Sequence, residues 1–182
     1  MEGPLPTLDP QWVQRLAAIK LLALDVDGVL TEGRVQYTGG GEELQSFCVQ
    51  DGQGLVLLKR EGIAVTWITG RGCDATRRRA HELGIEELHV GAGKKRDVLA
   101  GVQERLSIAP AETAAMGDDL PDLGLAAGAG VFVAPANGRP EIIERADHVT
   151  TASGGRGAVR ELVELLLRAR GRWQAIVDAA GQ

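Results

Sequence analysis

Two carboxylates, Asp25 and Asp27, stand one residue apart near the end of the apolar run "LLALDVDGVL". Like charges that close repel each other and resist desolvation unless a cation or a reaction needs them. Further along, "WITGR" offers Thr69, Gly70 and Arg71, "GAGKK" offers Lys94 and Lys95, and "MGDDLPD" offers Asp118, Asp119 and Asp122. Oxygen ligands with no clustered His or Cys suit a hard cation such as magnesium. A lysine and a hydroxyl beside that cation suit a phosphoryl group, whose negative charge must be balanced. A carboxylate can attack phosphorus to form an aspartyl phosphate, which gives the opening pair its tasks: Asp25 attacks, and Asp27 passes protons to the leaving group.

Each piece alone is weak. A DxDG is often a solvated turn, Asp119 or its neighbours would cap a helix start well, and a lone lysine is usually a surface charge. Their order along the chain becomes informative once the elements that carry them are considered. "KLLALDV" is a continuous apolar run of strand length, the type found in the middle of a parallel sheet. "IAVTWIT", "LHV", "ETAAMG", "GVFVA" and "DHVT" read as further strands, and helical patterns lie between them. "KRDVLAGVQERL" places Val98, Leu99, Val102 and Leu106 on one helical face. "RPEIIERA" reads as a helix, and "GAVRELVELLLRARG" is strongly amphipathic. Strands alternating with helices predict an α/β fold, a Rossmann-like parallel sheet with helices on both faces. Sites in such sheets form outside the carboxyl ends of the strands, and each polar cluster follows a predicted strand.

Between the first strand and the next helix, "RVQYTGGGEELQSFCV" has two β-prone arms around Gly39–Gly41 and predicts a hairpin flap over 34–48. Residues 1–10 read as a loose arm and 170–182 as a weakly structured tail on a single domain of 182 residues. At 44% hydrophobic and 25% charged the composition is ordinary for a globular protein, and the net charge of −5 argues against nucleic acid or an anionic membrane as partner. No apolar run reaches the roughly 20 residues of a membrane span, and the N-terminus lacks the pattern of a signal peptide. Cys48 and Cys73 lie far apart and form no CxxC, so buried or half-buried thiols in a cytoplasmic protein are the simple expectation.

"DVDGVLT", "ITGR", a lysine and "GDDLPD" resemble the four motifs of the haloacid dehalogenase-type phosphatases. "FCVQDGQGLVLLKREGI" and "GGRGAVRELVELLL" resemble phrases of the branch that hydrolyses 3-deoxy-D-manno-octulosonate 8-phosphate. The resemblance runs from about Lys20 to Trp173. It implies Asp25 as nucleophile and Asp27 as general acid/base. It also implies Asp25, the main-chain carbonyl of Asp27 and Asp118 as magnesium ligands. Thr69, Gly70 and Lys95 would bind phosphate, Lys95 being preferred to Lys94 by the family's spacing from Gly91. Asp119 and Asp122 would support or cap, and Arg71, Arg79 and Arg160 are candidates for holding the carboxylate of a sugar acid. "TGR" rather than "TGE" leans towards the octulosonate over a nonulosonate.

Larger relatives insert a cap domain between motifs. Here 41 residues separate Asp27 from Thr69, already spent on hairpin, helix and strand, and 23 separate Arg71 from Lys95, so a capless enzyme is expected. In the resembled branch, hairpins meet in a homotetramer and lend contacts across subunits, a role open here to the hairpin and the tail. The alternatives are a phosphatase for a nonulosonate 9-phosphate or another sugar phosphate, and an inactive tetramerising module. A phosphomutase would normally need the cap. "GAGKK" lacks the glycine and hydroxyl of a P-loop, and "DVDG" lacks the remaining ligands of an EF-hand.

Overall fold

The computed structural model describes residues 9–181. Most of the loose arm expected over 1–10 therefore lies outside the described residues. Asp9 accepts the Gln11 N–H and caps the first helix, α1, Pro10–Ala17. The chain continues through β1 Leu21–Leu24, the hairpin strands β2 Gln36–Tyr37 and β3 Glu43–Leu44, α2 Val49–Arg60 and β4 Ala64–Ile68. Then come α3 Asp74–Glu82, β5 Glu87–His89, α4 Lys95–Leu106, β6 Thr113–Met116, α5 Leu123–Ala126 and β7 Val131–Ala134. The last elements are α6 Pro140–Ile143, β8 His148–Val149, α7 Ala158–Ala169 and α8 Trp173–Ala180.

Six strands form one parallel sheet in the order β5-β4-β1-β6-β7-β8. The all-buried β1 explains its unbroken apolar sequence: a parallel strand covered on both faces has no wet side. Leu22 and Leu24 enter the core shared with Leu16 of α1, Leu55 and Leu58 of α2 and the Leu162–Leu166 stripe of α7. Leu21 and Ala23 enter the opposite core, with Leu99 and Val102 of α4 and Leu125 of α5. Leu106, expected on that same face of α4, is instead exposed, and Gln103 is buried. Its amide donates to Thr113 Oγ1 and the Gly128 carbonyl.

Register sets where the polar clusters fall. Leu24 lies opposite Trp67 of β4 and Met116 of β6, so the three chains leave the sheet side by side. The Asp25 N–H donates to the Met116 carbonyl at 3.1 Å and the Thr69 N–H to the His89 carbonyl at 2.9 Å, extending order past the strand ends. Among the described residues, only the hairpin, α2 and β4 lie between Asp27 and Thr69, and no cap is inserted.

Two further expectations need correction. The segment after 170 is not weakly structured: α8 is a helix whose Trp173 is buried against Arg160 and Arg168, each guanidinium stacked over its ring. The helix expected over 139–146 is shorter. α6 ends at Ile143, and Asp147, just before β8, is turned to accept the N–H of Phe132 in β7.

The two phrases beginning at Phe47 and Gly154 meet in space. Buried Asp51 of α2 accepts the N–H groups of Gly157 at 3.2 Å and Arg160 at 2.8 Å, capping α7 from another helix. Burial pushes the Asp51 carboxyl up, and those backbone donors hold it back.

Candidate active site

The carboxyl ends of β1, β4 and β6, with the start of α4, line a cleft of about 320 Å³ containing Asp25, Asp27, Thr69, Lys95, Asp118 and Asp122. Gly28 is the residue that lets them converge. Its φ is +101°, a conformation side chains rarely adopt, and a Cβ there would lie 2.1 Å from Asp118 Oδ2. The turn is held from behind by Asn137, which donates to the Gly28 carbonyl and accepts the Gly154 N–H.

Lys95 is buried, whereas Lys94 is exposed. The Lys95 ammonium donates to Asp25 Oδ1 at 2.5 Å and Asp122 Oδ1 at 2.6 Å, both buried. Asp122 also accepts the N–H groups of Asp118 and Asp119 through its other oxygen, which fixes the loop carrying Asp118. Asp119 accepts the Leu120 N–H at the start of a short 3-10 turn and is exposed. Asp122 therefore supports and Asp119 caps.

Charge does not balance inside this cluster. Asp25, Asp118 and Asp122 present ligand oxygens all within 4.8 Å of one another, against the single ammonium of Lys95. Burial, then the charge of Asp122, pushes Asp25 up to about 8, with Lys95 pulling the other way. Burial, then Asp122 and Asp119, pushes Asp118 up to about 7. Burial also works against the charge of Lys95, but its two carboxylate partners outweigh it and hold the ammonium above its ordinary value. Asp118 Oδ1 and Asp27 Oδ2 are buried with no hydrogen-bond partner among the described residues. An all-oxygen donor set, an excess of negative charge and an orphaned carboxylate oxygen together fit a hard divalent cation.

Thr69 is buried, and its hydroxyl oxygen accepts the Arg71 N–H at 3.1 Å, which leaves its own hydrogen to donate into the cleft. Gly70 follows it at the mouth. Residues 91–162 match the model of the haloacid dehalogenase-like hydrolases. The 3-deoxy-D-manno-octulosonate 8-phosphate phosphatase of Salmonella typhimurium is 41% identical over 180 residues, covering 99% of this chain and 93% of the relative. The same enzyme of Escherichia coli K12 is 43% identical over 164 residues, covering 90% and 86%. This chain belongs to the 3-deoxy-D-manno-octulosonate 8-phosphate phosphatase family. The crystal structure of the Moraxella catarrhalis member, in complex with magnesium, phosphate and the octulosonate, superposes with a TM-score of 0.91. The two are 41% identical, over 94% of this chain and 98% of that one.

For a member of this family, the three candidate arginines are unequally placed. Arg71 lies at the cleft, 3.0 Å from Glu43 and 4.0 Å from Asp27 Oδ2. Arg79 and Arg160 do not line this chain's cleft. Arg79 pairs with Glu82 and lies over Gly52, where a Cβ would meet its guanidinium at 2.2 Å. Arg160 pairs with Glu164 and stacks on Trp173. Both are taken up in packing α2, α3, α7 and α8 together.

Sequence reasoning missed Asn137, Glu43 and Gln45. Gln45, just past β3, donates from its amide to Asp27 Oδ1 at 3.0 Å. Each is an isolated polar residue in a loop or flap, and no spacing rule marks it. The hairpin's expected role was as a cover for a neighbour's site. In the chain itself, Glu43 and Gln45 fold onto their own cleft.

Proposed function

We propose that this chain is a cytoplasmic, magnesium-dependent phosphatase that hydrolyses 3-deoxy-D-manno-octulosonate 8-phosphate to the sugar acid and phosphate. The observation that carries this is the convergence of Asp25, Thr69, Lys95 and Asp118 on one cleft, in a chain 41% identical to such phosphatases along nearly its whole length. One capless domain spanning 1–182 does this, with magnesium held by Asp25, the main-chain carbonyl of Asp27 and Asp118. When bound, magnesium neutralises phosphoryl charge and leaves the phosphorus open to attack.

The protein's own groups divide the remaining work. The phosphoryl oxygens are held by the free hydrogen of the Thr69 hydroxyl, by backbone at Gly70 and by the Lys95 ammonium. Lys95 keeps one N–H beyond the two given to Asp25 and Asp122. An Asp25 carboxylate oxygen forms a bond to phosphorus as the bond from phosphorus to the sugar oxygen breaks. Asp27 gives its proton to that departing oxygen. It then takes a proton from water, whose oxygen attacks phosphorus and returns Asp25 to a carboxylate. Uncatalysed phosphate monoesters hydrolyse so slowly that enzymes of this kind supply up to about 10²¹-fold. Placing and charge balance are the main sources available to these side chains.

Arg71, exposed at the rim, is positioned to take the substrate's carboxylate in a two-pronged pairing. The exposed Val35, Tyr37, Leu44 and Val49 of the hairpin and the start of α2 support a homotetramer in which hairpins meet. The test is phosphate release from a panel of sugar phosphates, with magnesium and with chelator. Magnesium-dependent release from the octulosonate 8-phosphate is expected. Release confined to a nonulosonate 9-phosphate would move the substrate, and no release from any compound would leave only a structural module.

A further inference from the structure

Gln45 is tied at both ends. Its side-chain NH₂ donates to Asp27 Oδ1 at 3.0 Å, and its side-chain carbonyl accepts from the Thr76 hydroxyl at 2.5 Å. Thr76 is fully buried in α3, so the carbonyl end is anchored to a fixed point of the fold. The carboxylate decides the orientation of the amide. Turned over, it would put a carbonyl oxygen against the Asp27 carboxylate and lose that bond, although the Thr76 hydroxyl could still accept from the NH₂. The hairpin is pinned a second time by Glu43, which accepts from Arg71 at 3.0 Å. Held this way, the glutamine donates to one oxygen of the Asp27 carboxylate, Oδ1.

We propose that Gln45 is a positioning residue for Asp27, reserving Oδ1 as an acceptor so that the exchangeable proton is carried on Oδ2. The proposal rests on the reading of Asp27 as the group that protonates the leaving oxygen. Among the described residues Oδ2 is the oxygen left without a hydrogen-bond partner, with the Arg71 guanidinium 4.0 Å away. Without the Gln45 bond, the carboxyl turns about its last torsion and the proton is shared between two oxygens, one of which does not face the ester. The hairpin then acts as more than a wall: it sets the aim of the proton donor from outside the strand-end cluster.

Leaving-group chemistry tests this without relying on stability. A sugar alkoxide needs a proton as it departs, whereas 4-nitrophenolate leaves without one. kcat/KM covers only the steps up to the departure of the leaving group. General acid catalysis is worth about 10²–10⁴-fold. Gln45→Ala is expected to lower kcat/KM for the octulosonate 8-phosphate about tenfold or more and to leave that for 4-nitrophenyl phosphate within about threefold. Thr76→Val, which removes the anchor and keeps the shape, is expected to show the same contrast in smaller degree. Asp27→Asn serves as reference and should show the full contrast. A contrast in Asp27→Asn but equal losses on both substrates, or none, in Gln45→Ala would overturn the positioning role alone. No contrast in Asp27→Asn would overturn the reading of Asp27 and this inference with it.

Discussion

The strand-end cluster and the hairpin face each other across the same cleft, and they are built in opposite ways. Asp25, Thr69, Lys95 and Asp122 are buried and leave sheet strands or open a helix whose register is set by core packing. Glu43 and Gln45 sit on a ribbon of two-residue strands with exposed Tyr37 and Leu44, tied down by a few side-chain bonds. A two-stranded ribbon has little stability of its own, so its position depends on what it touches. Chemistry that must be aimed within tenths of an ångström sits on the rigid side. Recognition and fine orientation sit on the side that can give. Substitutions on the rigid side should therefore abolish function, and those on the hairpin should retune it.

The largest effect is expected from Asp25→Asn, which should lower turnover by on the order of 10⁴-fold or more. Its unfolding midpoint without metal should not fall, because a neutral amide relieves the crowding of three carboxylates around one ammonium. Activity near that of the parent would break the assignment of the nucleophile. Gly28→Ala should be nearly as damaging, since a Cβ meets Asp118 Oδ2 at 2.1 Å and φ is +101°. We expect it to lose at least about 1–2 kcal/mol in chemical denaturation and most of its response to magnesium.

Metal removal should act in a direction set by pH. The metal-free fold holds Asp118 up to about 7 and Asp25 up to about 8, so the folded chain keeps protons that the unfolded chain releases near pH 4. The unfolded state then binds fewer protons, and metal-free stability falls as pH rises through that window from about 4 to about 8. Magnesium at about 100 times its dissociation constant adds about 2.7 kcal/mol, or about 5–10 °C for a chain of this size. The shift measured by thermal unfolding should be larger at pH 8 than at pH 5. A shift that shrank with pH would contradict the site's charge balance. The mildest outcome is expected at the rim, where Arg71 from the β4 end meets the hairpin's Glu43: Arg71→Ala should raise KM for the sugar-acid phosphate about tenfold with a smaller change in kcat, read by steady-state kinetics. A collapse of kcat with KM unchanged would erase the distinction between the two walls.

That distinction also separates what was legible in the sequence from what was not. Asp25 and Asp27 announced themselves because an apolar strand ran straight into two charges, a local conflict that only function explains. The buried member of "KK" required a family spacing, since Lys94 and Lys95 are chemically identical and only the start of α4 tells them apart. Gln45 and Glu43 carry no pattern at all, because their partners lie 18 and 28 residues away and are met only through the fold. The helix at the C-terminus escaped for a related reason. Trp173, Ile176, Val177 and Ala180 do recur at helical spacing, but a run of eight residues is too short to stand alone, and its anchor, Trp173 clasped by Arg160 and Arg168, is of tertiary origin. Arg79 and Arg160 show the reverse: arginines in family phrases suggest substrate contacts, whereas within this chain their guanidinium groups lie against helices and away from the cleft.

The measurement that bears most directly on the central claim is chemical trapping of the phosphorylated enzyme. Enzyme mixed with magnesium and the octulosonate 8-phosphate would be quenched with borohydride, which reduces an acyl phosphate to an alcohol, and digested for mass spectrometry. Homoserine at position 25, formed only when substrate and magnesium are both present, is the expected result. An unmodified Asp25 during sustained turnover, or reduction at Asp27 or Asp118 instead, would contradict it.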